Sequence, residues 1–360
     1  MPRAPAILAG ILVALLLPAF LLTITSPVSS EAWDPPPAPA LTGVLKPNDR
    51  LLKADLLAKG KITGPEDVDV DAEGRVYGGL ADGRIVRVLP DGTVEDFVNT
   101  GGRPLGLEFD DTGNLVVADA FKGLLSIAPD GTTTVLTMEA NGVPFGFTDD
   151  VDIAANGIIY FSDASSKWRQ TQYEEDLLES RPYGRLLSYD PQTKETRVLL
   201  DGLHFANGVA LSAAEDFVLV NETWRYRVLR YWLAGERAGQ SEVFIDNLPG
   251  FPDGISGNRQ GIFWLALPAP RNATLDAIHP FPRLKELSAA LPAALRPRPA
   301  RYGLVLALDQ QAKIVASLHD TGGDHLREIT SVEQEGEYVY FGSLSNDRIG
   351  RMKASEALKP

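Results

Sequence analysis

The sequence predicts an all-β fold, a six-bladed β-propeller with an N-terminal transmembrane helix. Three observations predict it. A strand pattern repeats six times, side-chain oxygens recur at one phase of that repeat, and an apolar run near the start is long enough to cross a bilayer.

The apolar run spans residues 6–25 and would form a helix about 30 Å long at about 1.5 Å per residue. Arg3 precedes it and Glu31 and Asp34 follow it, an asymmetry that puts the N-terminus in the cytoplasm and the rest of the chain on the periplasmic or extracytoplasmic side. A cleaved signal peptide is the rival, with Val28-Ser29-Ser30 as its cleavage site, but the run is longer than the usual apolar stretch of such a peptide. Residues 1–30 therefore read as a single-pass signal-anchor, and residues 31–60 as a linker with a stiff Pro-rich spacer at 35–39. Residues 61–355 read as the propeller.

The second strand of each repeat begins at a turn residue, as in Gly74-Arg75-Val76-Tyr77, Gly113-Asn114-Leu115-Val116, Gly157-Ile158-Ile159-Tyr160, Asp216-Phe217-Val218-Leu219 and Gly261-Ile262-Phe263-Trp264, with Gly336 before Tyr338-Val339-Tyr340. A turn glycine and a third strand follow in several, as in Gly83-Arg84-Ile85-Val86. Four-stranded repeats of roughly 40 residues are the signature of propeller blades. Two spacings are longer, so residues 164–183 and 268–300 read as loop insertions on one face, the second with a short helix around 283–290. The last repeat has three strands, so residues 53–60 are expected to supply its fourth and remove an open edge.

The net charge of −14, from 48 acidic and 34 basic side chains, argues against a nucleic-acid partner. The absence of cysteine removes disulfides, thiolate metal sites and a cysteine nucleophile. There is no Gly-x-Ser-x-Gly elbow, His-Glu-x-x-His or phosphate-binding loop. The Asn-x-Thr triplets at Asn221 and Asn272 read as chance.

The first strand of each blade lines the channel. Eight residues before the turn glycine lie Glu66, Leu105, Asp149, Asp253 and Glu328, and nine before Asp216 lies Asn207. All but Leu105 carry a side-chain oxygen, and alternating apolar residues follow, as in Val68 and Val70 or Val151 and Ile153. A ring of carboxylates and an amide in a narrow channel needs a cation, and calcium accepts such oxygens. His204, His279, His319 and His325 have no zinc-ligand spacing at these positions. Asn207-Gly208 and Asp253-Gly254 are also common hairpin turn pairs, whereas Asp82-Gly83, Asp91-Gly92 and Asp130-Gly131 lie out of phase and read as plain turns.

Gly64-Pro65-Glu66-Asp67, Arg103-Pro104-Leu105-Gly106, Phe205-Ala206-Asn207-Gly208 and Phe251-Pro252-Asp253-Gly254 resemble the strictosidine synthase-like family, especially its adipocyte plasma membrane-associated protein branch. More distantly the chain is similar to gluconolactonases, senescence marker protein-type lactonases and paraoxonases. The resemblance implies a calcium-dependent hydrolase of lactones or esters, with ligands carried over onto Glu66, Asn207 and Asp253 and with Asp149 where relatives have Asn. It also implies a second, structural calcium at Asp67 and Asp150. Leu105 stands where paraoxonases carry a catalytic His, and Glu328 is the nearest match to the Glu on which strictosidine synthases depend.

The leading expectation is thus metal-assisted hydrolysis of a small lactone or ester, with Asp253 or Glu328 taking a proton from water. A non-catalytic membrane-anchored scaffold with structural calcium is the alternative, and amine-aldehyde condensation is a third reading.

Overall fold

The computed structural model describes residues 26–292, 295–296 and 298–359. The apolar run at 6–25 lies outside the described residues, and among those described no helix is long and apolar enough to cross a membrane. The chain divides into two compact units. The larger comprises Pro37–Gln170, Pro182–Arg271 and Ala300–Pro360, and the smaller comprises Met1–Pro36, Thr171–Arg181 and Asn272–Pro299.

The larger unit is a six-bladed propeller. Blades 1 to 5 are four-stranded antiparallel sheets made from consecutive strands, with inner strands at Val68–Val70, Pro104–Phe109, Thr148–Ile153, Ala206–Leu211 and Ile255–Gly257. Blade 6 takes Ile329–Glu335, Tyr338–Ser343 and Ile349–Lys353 from the end of the chain and Asp55–Leu57 from near its start. Leu56 pairs with Gly350 and Leu57 with Ile349, which joins the two ends of the propeller and leaves no open edge on that blade's third strand.

Each apolar cluster draws its side chains from adjacent blades. Tyr77 and Ile85 of blade 1 pack with Leu115, Val117 and Leu125 of blade 2. Trp264, Val305 and Leu318 of blade 5 pack with Ile329, Val332 and Phe341 of blade 6. The period-2 alternation of each strand makes this arrangement, because both faces of an inner blade are covered by neighbours.

Residues 31–60 are bonded to the rest of the chain at several points. Within the propeller unit, Asn247 Nδ2 donates to Pro37 O, Ser317 Oγ to Val44 O at 2.5 Å, and Arg50 Nη2 to Glu356 O at 2.8 Å. Pro-rich backbone cannot pair with itself, but its carbonyls accept from a packed surface.

The smaller unit holds three helices: α1 (Tyr173–Glu179) and α2 (Ala273–Ile278), where loops were expected, and α3 (Pro282–Ala290), where the short helix was expected. Asn272 is the N-cap of α2, its side chain accepting from Thr274 N and Leu275 N, and that explains the triplet read as chance. Asn221 is fully buried in a strand of blade 4. The segment after residue 26 is bound into this unit. Ser30 Oγ donates to Leu178 O at 2.7 Å, Glu31 N to Glu179 O at 2.9 Å and Trp33 N to His279 O at 3.1 Å.

Candidate metal centre

The inner strands begin with a repeated irregularity. In blade 2, Pro104 pairs with Asp119 and Gly106 with Ala118, which leaves Leu105 as an extra residue. In blade 3 the extra residue falls at Asp149-Asp150, in blade 4 at Asn207-Gly208, and in blade 6 at Thr330. Blades 1 and 5 show the same geometry through backbone bonds, Glu66 N to Gly79 O at 3.0 Å and Asp253 N to Ala266 O at 3.0 Å. A β-bulge re-aims a side chain that regular pleating would send into the sheet. The bulges therefore re-aim one residue per blade at the channel end of its inner strand.

Those residues are Glu66, Leu105, Asp149, Asn207, Asp253 and Thr330. The channel cavity is lined by Glu66, Asp149, Asn207 and Thr330, with Asp67 and Asp150 beside them. Asn207 Nδ2 donates to Asp253 Oδ1, joining blades 4 and 5. Thr330 Oγ1 donates to the Glu66 carbonyl at 2.6 Å and joins blades 6 and 1. Glu328 is displaced from the ring. It lies two residues before Thr330, its N–H donating to Tyr302 O and its carbonyl accepting from Leu344 N, and it does not line the cavity.

Asn207-Gly208 and Asp253-Gly254 are not hairpin turns. A Cβ on Gly208 would meet Asp253 O and Ile255 N at 2.4 Å, and one on Gly254 would meet Thr330 O at 2.4 Å, so these glycines permit neighbouring inner strands to touch. Asp67 and Asp150 do related work from the other side. Asp67 Oδ2 accepts from Leu107 N of blade 2 at 2.7 Å, and Asp150 Oδ2 from Val209 N of blade 4 at 2.8 Å, while Asp150 Oδ1 takes its neighbour Val151 N at 2.8 Å. Each of these carboxylates thus ties its own inner strand to that of the next blade.

Burial dominates the electrostatics. It pushes the Glu66 and Asp149 carboxyls well above their usual range; Asp253 pushes both further, Asp67 adds to the push at Glu66, and Glu66 adds to it at Asp149. Burial raises Asp253 to about 7 against the hydrogen bond from Asn207. The buried Arg103 guanidinium opposes the shift at Glu66 and donates to Gly64 O and Gly79 O at 3.2 and 3.3 Å. Asp149 Oδ2 is buried with no hydrogen-bond partner, an orphan acceptor at the ring.

A hard cation with oxygen ligands fits this donor set, which offers three carboxylates, an amide and a hydroxyl and neither sulfur nor imidazole. Among the described residues no three His, Cys, Asp or Glu side chains form a metal-holding group on their own. A cation held there would need the Asn207 amide beside the carboxylates.

Sequence reasoning missed the groups that aim the ring. Asp119 Oδ1 accepts from Arg103 N at 3.1 Å, Asp163 Oδ1 from Gly146 N and Phe147 N at 3.0 and 2.9 Å, and Glu222 Oε1 from His204 N at 2.9 Å. Each acid ends the second strand of its blade and pins the approach to the bulge. The signal was present as an acid at the end of that strand in three successive repeats, Asp119, Asp163 and Glu222.

Fold and site define a propeller in which five of the six blades bring an oxygen-bearing side chain to an acidic ring. The chain belongs to the strictosidine synthase-like family. The strictosidine synthase family profile matches residues 149–236, and the profile for the strictosidine synthase-like N-terminal region matches residues 43–88. The chain is 39% identical over 322 residues to protein strictosidine synthase-like 7 of Arabidopsis thaliana, covering 85% of this chain and 83% of that one. It is 35% identical over 357 residues to the adipocyte plasma membrane-associated protein of Bos taurus, covering 92% and 86%. Among solved structures, a gluconolactonase from Xanthomonas campestris superposes with a TM-score of 0.62 at 16% identity over 91% of this chain and 98% of that one. Regucalcin from Agrobacterium tumefaciens, described as a calcium-binding protein, superposes at 0.57 and 14% identity over 83% and 90%. At such identities the likeness is one of fold.

Proposed function

We propose that the chain is a calcium-dependent hydrolase of lactones or esters, anchored to a membrane through residues 6–25 with the propeller outside. The observation that carries this reading is the bulged ring, where Glu66 and Asp253 push the buried Asp149 carboxyl further up and Asp149 Oδ2 lacks a partner. Glu66, Asp149, Asn207 and Asp253 would hold the ion. Bound there, calcium supplies a positive charge that polarises a substrate carbonyl and stabilises the developing oxyanion. Asp253 retains partial solvent access, and its free carboxylate oxygen is the acceptor for a proton from attacking water. Asn207 orients that carboxylate, and Asn221 Nδ2 holds the Asp253 carbonyl, so base and backbone are fixed together. Arg103 offsets the charge at Glu66.

Leu105 supports a second reading. The blade 2 ring position is buried hydrocarbon and offers no base, as in a binding protein whose cation is purely structural. A panel of lactones and aryl esters, assayed with calcium and with chelator, separates the two. The hydrolase reading requires turnover that chelation abolishes and that Asp253→Ala lowers by roughly 10²-fold or more. Turnover indifferent to both, or no turnover by folded, calcium-loaded protein, removes it.

A further inference from the structure

The smaller unit carries large apolar side chains that its own helices leave exposed. Phe281, Leu284 and Leu295 are 57%, 47% and 68% exposed. Phe281 immediately precedes α3 and Leu284 follows it by three residues, so both lie on one side of that helix. The charge distribution around them is one-sided. Among the described exposed residues from Asn272 to Pro299 none is acidic, and the charged ones are Arg283 and Arg298. The acids of that stretch, Asp276 and Glu286, are part-buried and buried, and Glu286 is paired with Arg283 at 2.8 Å.

The same unit receives the chain directly after the apolar run at residues 6–25. Ser29 N donates to Glu179 Oε1 at 3.1 Å, four residues beyond the end of that run, and Lys285 Nζ reaches the Glu31 carbonyl. A membrane-inserted run would therefore hold this unit close to the bilayer surface. Apolar side chains flanked by arginines are the composition of an interfacial contact, because the rings and branched chains enter the acyl boundary while guanidinium groups stay among the phosphates.

We infer that the surface made by Phe281, Leu284 and Leu295 is a second, interfacial membrane contact, with Arg283 and Arg298 meeting lipid phosphates. It rests on the anchored reading for its direction of approach, and it adds a contact which that reading does not contain. A bilayer fits better than an anionic protein partner because exposed apolar area outweighs the two positive charges.

The chain has no cysteine, so Leu284→Cys or Phe281→Cys creates a unique labelling site. Full-length protein carrying an environment-sensitive fluorophore at either position is reconstituted into phosphatidylcholine and phosphatidylglycerol vesicles. Val243→Cys, an exposed apolar position on blade 4, serves as the control. Expected is a blue shift and severalfold quenching by nitroxide-labelled lipid at 284 and 281, with neither at 243. Protein that floats with the vesicles while its 284 and 281 probes stay unquenched overturns this inference and spares the anchor. A blue-shifted but unquenched probe also overturns it, since the patch is then covered by protein. Failure to float overturns both.

Discussion

The Asn207 carboxamide donates to the Asp253 carboxylate, so two side chains 46 residues apart in sequence meet where blades 4 and 5 open onto the channel. Neither residue is placed by its own strand alone. Each sits at a bulge, and each is followed by a glycine that permits the adjoining inner strands to make contact.

Removing either partner should therefore affect binding and catalysis more than folding. Asn207→Ala should weaken calcium affinity at least tenfold and lower kcat/KM by roughly 10²-fold, because the base loses its orienting bond. Calcium titration followed by steady-state assay on the best lactone checks this, with the melting temperature of the loaded protein as the folding control.

Gly208→Ala should be costly without touching any ligand. Its Cβ would meet backbone atoms of the neighbouring blade at 2.4 Å, and backbone cannot move aside as a flexible side chain can. A loss of about 1–3 kcal/mol is expected from urea unfolding, within the range for overpacking. A change within about 0.5 kcal/mol would show that the inner strands are looser than described.

Metal-free protein should lose stability as pH rises. Asp253 and Asp69 stand at about 7 in the folded chain, raised chiefly by burial, against 3.8 as the ordinary value. Groups whose folded pKa is raised bind more protons in the native state, so their contribution is greatest below about 4 and is lost as pH passes through about 7. In chelator, the melting temperature should fall between about pH 4 and 7 and level off above that. Calcium should reverse the trend, because it favours the ionised carboxylates.

Glu222 carries the opposite sign. Burial alone would raise it, but the His204 hydrogen bond and the Arg227 charge outweigh burial and bring it to about 2. Its contribution is present above the unfolded carboxylate range and disappears as pH falls from about 4 towards 2. Glu222→Gln should flatten acid unfolding over that window and cost roughly 1–3 kcal/mol near neutral pH, read by denaturant melts.

The blades were legible because each repeats a turn residue and a period-2 strand, and five of the six ring positions followed by counting back from the turn. The count failed in blade 6 for a definite reason. Its inner strand runs to Glu335, which pairs directly with Tyr338, whereas in blade 1 Val70 pairs with Val76 across a longer loop. A tighter hairpin moves Gly336 along the strand, so the fixed count stopped at Glu328 and missed Thr330. The helices of the insertions were harder to read. α1 and α2 are 7 and 6 residues long, too short for helical periodicity to stand out. The pinning acids Asp119, Asp163 and Glu222 sit among strand residues, and their role appears only when strand ends meet the bulges of their own blades.

Equilibrium calcium binding by the purified full-length chain tests the central claim most directly. The account predicts saturable binding at the ring that the double variant Asp149→Ala with Asp253→Ala abolishes while the propeller still unfolds cooperatively. Folded wild-type protein that binds no calcium, or a double variant that binds it unchanged, would contradict it.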